Sequence, residues 1–189
     1  NKALDIAIHN NFDRYQSILY RELGHVFYRL LDFSKALEFY QKALNIAESA
    51  QLKQEKIKIF RKIGEVYYHL DKFDITIDYS TKIITLAREL NDQKSLAAAI
   101  AWQGNIQMVK DDFKGSLEKY ATSIAIRIKN NDDAGLASDY ANVAFLYQLI
   151  GDFNNSLKYH NLCETTFTKI GDKYSEMLHY KDMGNLIAI

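Results

Sequence analysis

A forty-residue repeat constrains the fold of this chain more than any other feature of its sequence. A small residue and a phenylalanine each recur in steps of forty, at Gly24, Gly64, Gly104, Ala144 and Gly184, and at Phe33, Phe73, Phe113 and Phe153. The turns before each phenylalanine read LLDF, LDKF, KDDF and IGDF, and an amphipathic run follows each one. Self-similarity at a fixed period is the signature of units that bury their apolar faces only against their neighbours. The sequence therefore predicts four units of helix, tight turn, helix and looser turn.

The arms of each unit have helical spacing. Leu23, Val26, Phe27 and Leu30 fall on one side of a helix in the first arm, and proline is absent from the whole chain. A glycine inside a helix costs about 1 kcal/mol against alanine, so the glycine series predicts points where another helix approaches too closely for a side chain. The recurring phenylalanine is predicted to fill the space between the two arms of its hairpin.

These residues resemble the tetratricopeptide repeat. The first unit matches the signature of that family on both arms, at Tyr20, Leu23, Gly24, Phe27, Ala36, Tyr40 and Ala43. The resemblance implies an all-α fold, a right-handed α-solenoid of helix-turn-helix repeats. The period of forty, against a commoner period of about 34, is similar to the long-repeat form found in bacterial regulatory and sensor proteins.

The domain organisation follows from the repeat. We predict one array over residues 1–189, with the end of a preceding second helix at 1–13 and the first helix of a fifth repeat at 173–189. The four complete repeats between them are predicted at 14–52, 53–92, 93–132 and 133–172. The chain begins at Asn1, in mid-pattern and without a methionine, so we interpret it as part of a longer protein.

Composition argues against several classes of partner. With 24 basic and 24 acidic side chains the net charge is zero, which gives no electrostatic reason to expect nucleic acid or an anionic membrane. No apolar run reaches the roughly 18 residues of a membrane-spanning helix. The single cysteine excludes an internal disulfide and suits a reducing compartment, so a cytoplasmic location is expected.

Catalytic chemistry has no motif to support it. HExxH, GxSxG, CxxC and phosphate-binding glycine loops are all missing from the sequence, so we predict no catalytic residue, no metal ligand, no cofactor and no enzyme activity. His160 and Cys163 share a helix face and could form a metal or nucleophile pair, but they fall at packing positions and are interpreted as core residues. The pairs Asp111–Asp112 and Asp132–Asp133 are interpreted as solvated turn and helix-start residues. The thirteen tyrosines could stack bases, yet they recur at fixed repeat positions that favour a core role.

The resemblance also implies where a partner would bind. In this family the first helix of each repeat lines a concave groove in which peptides lie. The groove residues expected by resemblance are Arg21, His25, Tyr28, Arg61, Lys62, Tyr68, Trp102, Asn105, Met108, Asn142 and Phe145. Ala101, Val109 and Leu149 are expected on the same face. The first half of the groove would be charged and the second half mostly apolar, with tryptophan and arginine as anchors and asparagine amides to pair with a peptide backbone.

Two functional hypotheses remain open. In the first, the array is a protein- or peptide-binding module, the sensor or scaffold part of a longer regulatory protein. In the alternative it is purely structural, holding neighbouring domains or a second copy, with no ligand in its groove. A weak homodimer through the C-terminal end is also predicted, because Met183, Leu186 and Ile187 would have no following helix to cover them.

Overall fold

The computed structural model describes residues 2–9 and 12–171, and these residues form nine α-helices. The helices are α1 (Lys2–His9), α2 (Asp13–Arg29), α3 (Phe33–Ser49), α4 (Lys53–His69), α5 (Phe73–Glu89), α6 (Gln93–Val109), α7 (Phe113–Lys129), α8 (Asp133–Ile150) and α9 (Phe153–Ile170). The all-α prediction is confirmed for the described residues. The first helix of a fifth repeat, Gly184 and the C-terminal surface proposed for self-association lie outside them.

The chain forms two compact units, Asn1–Asp92 and Gln93–Ile189, and each is considered by itself. In unit 1 the helix pairs α2–α3 and α4–α5 form antiparallel hairpins, and α3 packs on α4. In unit 2 the pairs α6–α7 and α8–α9 do the same, with α7 packed on α8. The assignment of both units to a single array, with the repeat boundaries given above, stays a prediction.

The turns between helices follow one pattern from α2 onward. Helices begin every twenty residues, at 13, 33, 53 and so on to 153. One residue with φ between +53° and +83° closes each helix; these residues are Leu31, Gln51, Asp71, Asn91, Asp111, Asn131, Gly151 and Gly171. At the first turn, the Leu31 N–H donates to the Tyr28 carbonyl and the Asp32 N–H to the Phe27 carbonyl, both at 3.0 Å. This is the Schellman closure, which satisfies the last carbonyls of a helix and reverses the chain at once.

An aspartate side chain caps the N-terminus of α3, α7, α8 and α9. The carboxylate of Asp32 accepts from the Lys35 N–H at 3.1 Å, and that of Asp152 accepts from the Asn155 N–H at 3.0 Å. Asp112 and Asp132 cap α7 and α8 in the same way. Hydrogen bonds from the side chain and backbone of Lys35 hold the pKa of Asp32 below its ordinary value, and those from the backbone and side chain of Asn155 do the same for Asp152. The interpretation of Asp112 and Asp132 as helix-start residues is therefore confirmed.

The glycine series marks close helix approaches, as predicted, but not equally. A Cβ built on Gly24 would lie 2.5 Å from two ring carbons of Tyr40, closer than side-chain atoms normally approach. A Cβ on Gly104 would meet the equivalent Tyr120 at 3.3 Å. Ala144, which occupies the same repeat position, holds its methyl group fully buried. Unit 1 thus needs glycine at position 24, whereas unit 2 tolerates a small side chain.

The recurring phenylalanine is the first residue of each second helix, and three of the four pack as predicted. Phe33 lies 6.0 Å from the ring of Tyr28, and Phe73 lies 5.6 Å from the ring of Tyr68. Phe113 packs on the core cluster of unit 2.

The prediction is wrong for Phe153, whose side chain is 69% exposed. Five residues before the phenylalanine stand Tyr28, Tyr68 and Met108 in the first three repeats, and each offers a large side chain to pack on. The fourth repeat has Gln148 there, and its amide lies 2.7 Å from the imidazole of His160. Phe153 therefore has no apolar partner at that position.

The aromatic residues at fixed repeat positions pack between the helices of a hairpin. Ring centroids lie 5.2 Å apart in Phe27–Phe39, 6.0 Å in Tyr67–Tyr79 and 5.6 Å in Tyr147–Tyr159, all stacked. The prediction of a core role is confirmed for these positions. Tyr180 lies outside the described residues.

A buried ion-pair network joins α7 to α8 in unit 2. Arg127 Nε lies 2.7 Å from Asp139 Oδ2, and Arg127 Nη1 lies 2.5 Å from Asp132 Oδ2. Ser123 donates to Asp139 at 2.5 Å. Burial nevertheless keeps the pKa of Asp139 above its ordinary value, against the hydrogen bond of Ser123 and the charge of Arg127. The description of Asp132 as solvated was therefore wrong, because its carboxylate turns inward to the guanidinium.

His160 and Cys163 lie in the interior, as predicted. The side chain of Cys163 is fully buried and that of His160 nearly so. Burial raises the pKa of the Cys163 thiol to about 12. The thiol is therefore protonated at neutral pH and is not poised as a nucleophile.

Candidate functional site

The first helices of the repeats carry the residues expected to meet a partner. In unit 1 these helices are α2 and α4, and in unit 2 they are α6 and α8; the two helices contact each other within each unit. Their residues that are neither core nor turn define what is called below the inner face of each unit.

The basic side chains of the unit 1 inner face are paired with carboxylates. Arg21 Nε donates to Glu55 at 2.5 Å, and its Nη1 donates to Glu22 at 2.6 Å. Lys62 Nζ lies 2.8 Å from Glu65. Because Glu55 is almost fully buried, Arg21 serves chiefly to join α2 to α4. Arg61 is exposed, with its Nε 3.8 Å from Glu65.

Six aromatic rings form a continuous series along the same unit, called here the aromatic row. Its members are His25, Tyr28, Phe33, His69, Tyr68 and Phe73. His69 connects the two repeats, with its ring 5.5 Å from Tyr28 and 6.3 Å from Tyr68. The structure therefore brings together three of the expected groove residues, His25, Tyr28 and Tyr68. Phe33 also belongs to the row, whereas its position in the sequence indicated only a hairpin-filling role.

Among the described residues of unit 1, two side-chain polar atoms lie buried without a hydrogen-bond partner. They are Tyr40 Oη and His25 Nδ1. Burial raises the pKa of Tyr40, and the nearby Glu65, Tyr28 and Glu22 raise it further. Of these neighbours, Glu22 and Tyr28 belong to α2 and Glu65 to α4.

The inner face of unit 2 has a different character. The Tyr120 hydroxyl donates to Asn105 Oδ1, so this predicted amide is already engaged within the unit. Met108 packs against the core cluster of Ala101, Tyr120, Val143 and Leu146. Ala101 is a buried member of that cluster and presents no surface to a partner, which corrects its expected place on the face.

Large apolar side chains of α6 and α8 are exposed. Phe145 is 48% exposed, Leu149 49% and Val109 45%. Trp102 and Asn142 are partly buried. These exposures agree with apolar residues on the first helices of unit 2, and their place in a groove stays a prediction.

The described residues contain neither a cluster of metal ligands nor a membrane-spanning helix. No three His, Cys, Asp or Glu side chains within residues 2–9 and 12–171 come together as a metal site. In the part of the chain that the structure describes, no helix combines the length and apolar character that crossing a membrane requires.

Comparison with known proteins shows the fold. The sequence matches no family model, and no curated protein matches it. Solved structures do match. BtubC from P. vanneervenii superposes with a TM-score of 0.71 at 20% identity, over 84% of this chain and 66% of that one. The signal transduction ATPase with a tetratricopeptide repeat sensor from Pyrococcus horikoshii gives 0.76 at 12% identity, over 88% and 26%.

The fold is of the tetratricopeptide-repeat type. A Rap protein complexed with competence and sporulation factor is similar as well, with a TM-score of 0.69 and 16% identity over 93% of this chain and 50% of that one. This tetratricopeptide-type chain spans from 26% to 66% of the length of the three structures. At such identities the likeness concerns the fold, and function has to be argued from the side chains.

Proposed function

We propose that this chain is a protein- or peptide-binding module, the sensor or scaffold part of a longer regulatory protein, and that its inner faces hold an extended segment. The observation that carries the proposal is the exposed apolar surface of α6 and α8. Phe145 and Leu149 on α8 and Val109 at the end of α6 are each nearly half exposed. Clustered exposed apolar residues mark interaction sites more often than scattered ones do.

The similar structures support this choice without deciding it. One is a Rap protein complexed with competence and sporulation factor, and another contains a tetratricopeptide repeat described as a sensor. We propose a protein partner rather than nucleic acid, because the chain has no net charge to attract phosphates.

We further propose that the module has no catalytic role, needs no cofactor and acts in the cytoplasm. The protonated, buried thiol of Cys163 supports the first point. The buried position of His160, bonded to Gln148, supports it too, because neither group can reach a substrate.

Selection from a library of random peptides tests the proposal. The protein is immobilised, displayed peptides are selected, and the affinity of each is measured from the fluorescence of Trp102, the chain's one tryptophan. Phe145→Asp should weaken a peptide bound on unit 2 by about tenfold or more, since a desolvated aromatic anchor commonly contributes over 1 kcal/mol.

The matched control is Ile128→Asp. Ile128 is also an exposed apolar residue of unit 2, but it lies on α7, which does not carry the inner face. Its replacement should leave binding unchanged. If no peptide is selected, or if the two variants behave alike, the array is structural and the proposal is wrong.

A further inference from the structure

One pair of equivalent tyrosines has different hydrogen bonding in unit 1 and unit 2. Tyr40 and Tyr120 are equivalent by the repeat, eighty residues apart, and both are fully buried. Each lies against the glycine of the preceding helix, Gly24 or Gly104. The residue after that glycine is His25 in unit 1 and Asn105 in unit 2.

The hydrogen bonding at the two places is opposite. In unit 2 the Tyr120 hydroxyl donates to Asn105 Oδ1, so both groups are satisfied. In unit 1 the Tyr40 hydroxyl and His25 Nδ1 are both buried with no partner. An unsatisfied buried polar group costs about 1–3 kcal/mol, and such groups are uncommon in native interiors. The equivalent groups of unit 2, Tyr120 and Asn105, are within hydrogen-bonding distance of each other. Unit 1 therefore contains a donor and an acceptor whose bonds the chain itself does not make.

The chemistry of these two groups selects a ligand. A phenol donates through its O–H, and a neutral imidazole that carries its proton on Nε2 accepts through Nδ1. A carboxamide is complementary to that pair, because its carbonyl oxygen accepts from Tyr40 and its N–H donates to His25. A carboxylate has no N–H to give and would face the charges of Glu22 and Glu65, while the nearby cation Arg21 is already paired with Glu22 and Glu55.

We propose that Tyr40 and His25 form a subsite for one carboxamide group of a peptide, either a main-chain amide or an Asn or Gln side chain. The inference rests on the proposed peptide-binding function and deepens it. Unit 2 lacks the subsite because its own Tyr120–Asn105 bond closes it, so that unit binds through its apolar surface.

Entry to the subsite requires one side chain to move. His25 is only partly buried, and its ring stacks on Tyr28, which is itself partly exposed, at 5.9 Å between centroids. Rotation of His25 breaks no hydrogen bond at Nδ1, because that atom makes none. The aromatic row then flanks the opened site on the side of Tyr28.

Small amides test the subsite without any knowledge of the natural peptide. The protein is titrated with acetamide, which represents Asn and Gln side chains, and with N-methylacetamide, which represents the main chain. Methyl acetate, an ester of similar size with an acceptor but no N–H, is the matched control. Backbone ¹H–¹⁵N signals of Gly24 and His25 report unit 1, and those of Gly104 and Asn105 report unit 2. We expect a saturable shift in unit 1 alone, with the amides and not with the ester, and the amide that saturates first identifies the source.

Three variants complete the experiment. Tyr40→Phe should weaken amide binding about three- to tenfold, the usual effect of losing one hydrogen bond. His25→Asn, which copies unit 2, should close the subsite and abolish the shift. Tyr120→Phe should leave unit 1 unchanged. Circular dichroism confirms that each variant is folded, and Tyr40→Phe is expected to be at least as stable as the parent because it removes an unpartnered hydroxyl.

The outcomes separate this subsite from the broader proposal. An equal response to methyl acetate, an unaltered response in Tyr40→Phe, or no shift in unit 1 overturns the subsite. Should library peptides bind while amides do not, the peptide-binding function stands and the subsite falls. Should amides bind while no peptide is selected, the subsite is supported and the peptide-binding function fails.

Discussion

Replacing Arg127 by alanine is expected to destabilise unit 2 by about 3–5 kcal/mol, because a buried carboxylate would lose its cation. Asp139 is only 2% exposed, and its principal charged partner is the guanidinium at 2.7 Å. The pKa of Asp139 is already raised by burial with Arg127 in place. Without it, the carboxyl must either remain charged in a poorly solvated site or take up a proton at neutral pH, and both are costly.

The chain itself supplies the compensating change. At the repeat positions of Arg127 and Asp139, unit 1 has Ala47 and Ile59, both fully buried between α3 and α4. The double variant Arg127→Ala with Asp139→Ile transfers that apolar pair to unit 2. It should recover most of the lost stability, since replacing both members of a buried ion pair leaves no uncompensated charge. In the double variant the Ser123 hydroxyl no longer has Asp139 to donate to, and it can donate instead to the Ala97 carbonyl, 3.0 Å away.

Unfolding in urea, followed through the fluorescence of Trp102 on α6 of unit 2, measures the loss of stability. For a chain of this length each kcal/mol corresponds to about 2–4 °C in Tm, so the single variant should melt roughly 6–20 °C lower. Lys169→Ala is the control, because its pair with Asp133 is largely exposed and should contribute less than about 1 kcal/mol. A single variant as stable as this control, or a double variant no better than the single, would refute the reasoning.

Three further predictions concern positions where the backbone or burial restricts the side chain. Gly24→Ala should destabilise by about 1–3 kcal/mol, because its Cβ would lie 2.5 Å from Tyr40 carbons. Gly104→Ala should change stability by less than about 1 kcal/mol. Urea unfolding compares the two variants, and equal losses would contradict the difference in spacing. Leu31→Gly should stabilise by about 0.5–1 kcal/mol, because a φ of +60° strains leucine and the side chain is largely exposed. A lower Tm would show that the contacts of the leucine side chain contribute more than the strain costs. Cys163 should resist iodoacetamide at pH 8 until denaturant is added, because its pKa is about 12, and mass spectrometry of the folded protein would reveal any earlier labelling.

The helical architecture was predictable because the same pattern of residues occurs in four successive repeats. Glycine at 24, phenylalanine at 33 and the helical spacing between them recur together, so an error in one unit is corrected by the others. The positive φ of the turns could also be predicted in part, because aspartate and asparagine tolerate it. These residue types occupy the turn position at Asp71, Asn91, Asp111 and Asn131. Leu31 and Gln51 adopt positive φ only because the helices on either side fix the turn.

Departures from the repeat were harder to interpret. Asp139 aligns with Ile59 and Arg127 with Ala47, so each charged residue stands alone against an apolar pattern, and only the structure shows that the two meet. Two charged residues replacing apolar ones at facing positions were the signal that could have found the pair. Arg21 was expected to contact a partner, but its match with Glu55 on the next helix depends on packing that a linear pattern does not reveal.

The constant spacing of the helices limits which insertions and deletions the chain can accept. Each helix from α2 onward begins twenty residues after the last. Successive residues of an α-helix are separated by about 100° around its axis, so one residue inserted within a helix turns everything after it away from its neighbours. A single deletion has the same effect in the opposite sense, and a block of twenty would exchange first helices for second ones. Insertions and deletions that preserve the packing of the helices are therefore expected to comprise whole blocks of forty residues. Among smaller changes, only point substitutions keep every helix in register with its neighbours.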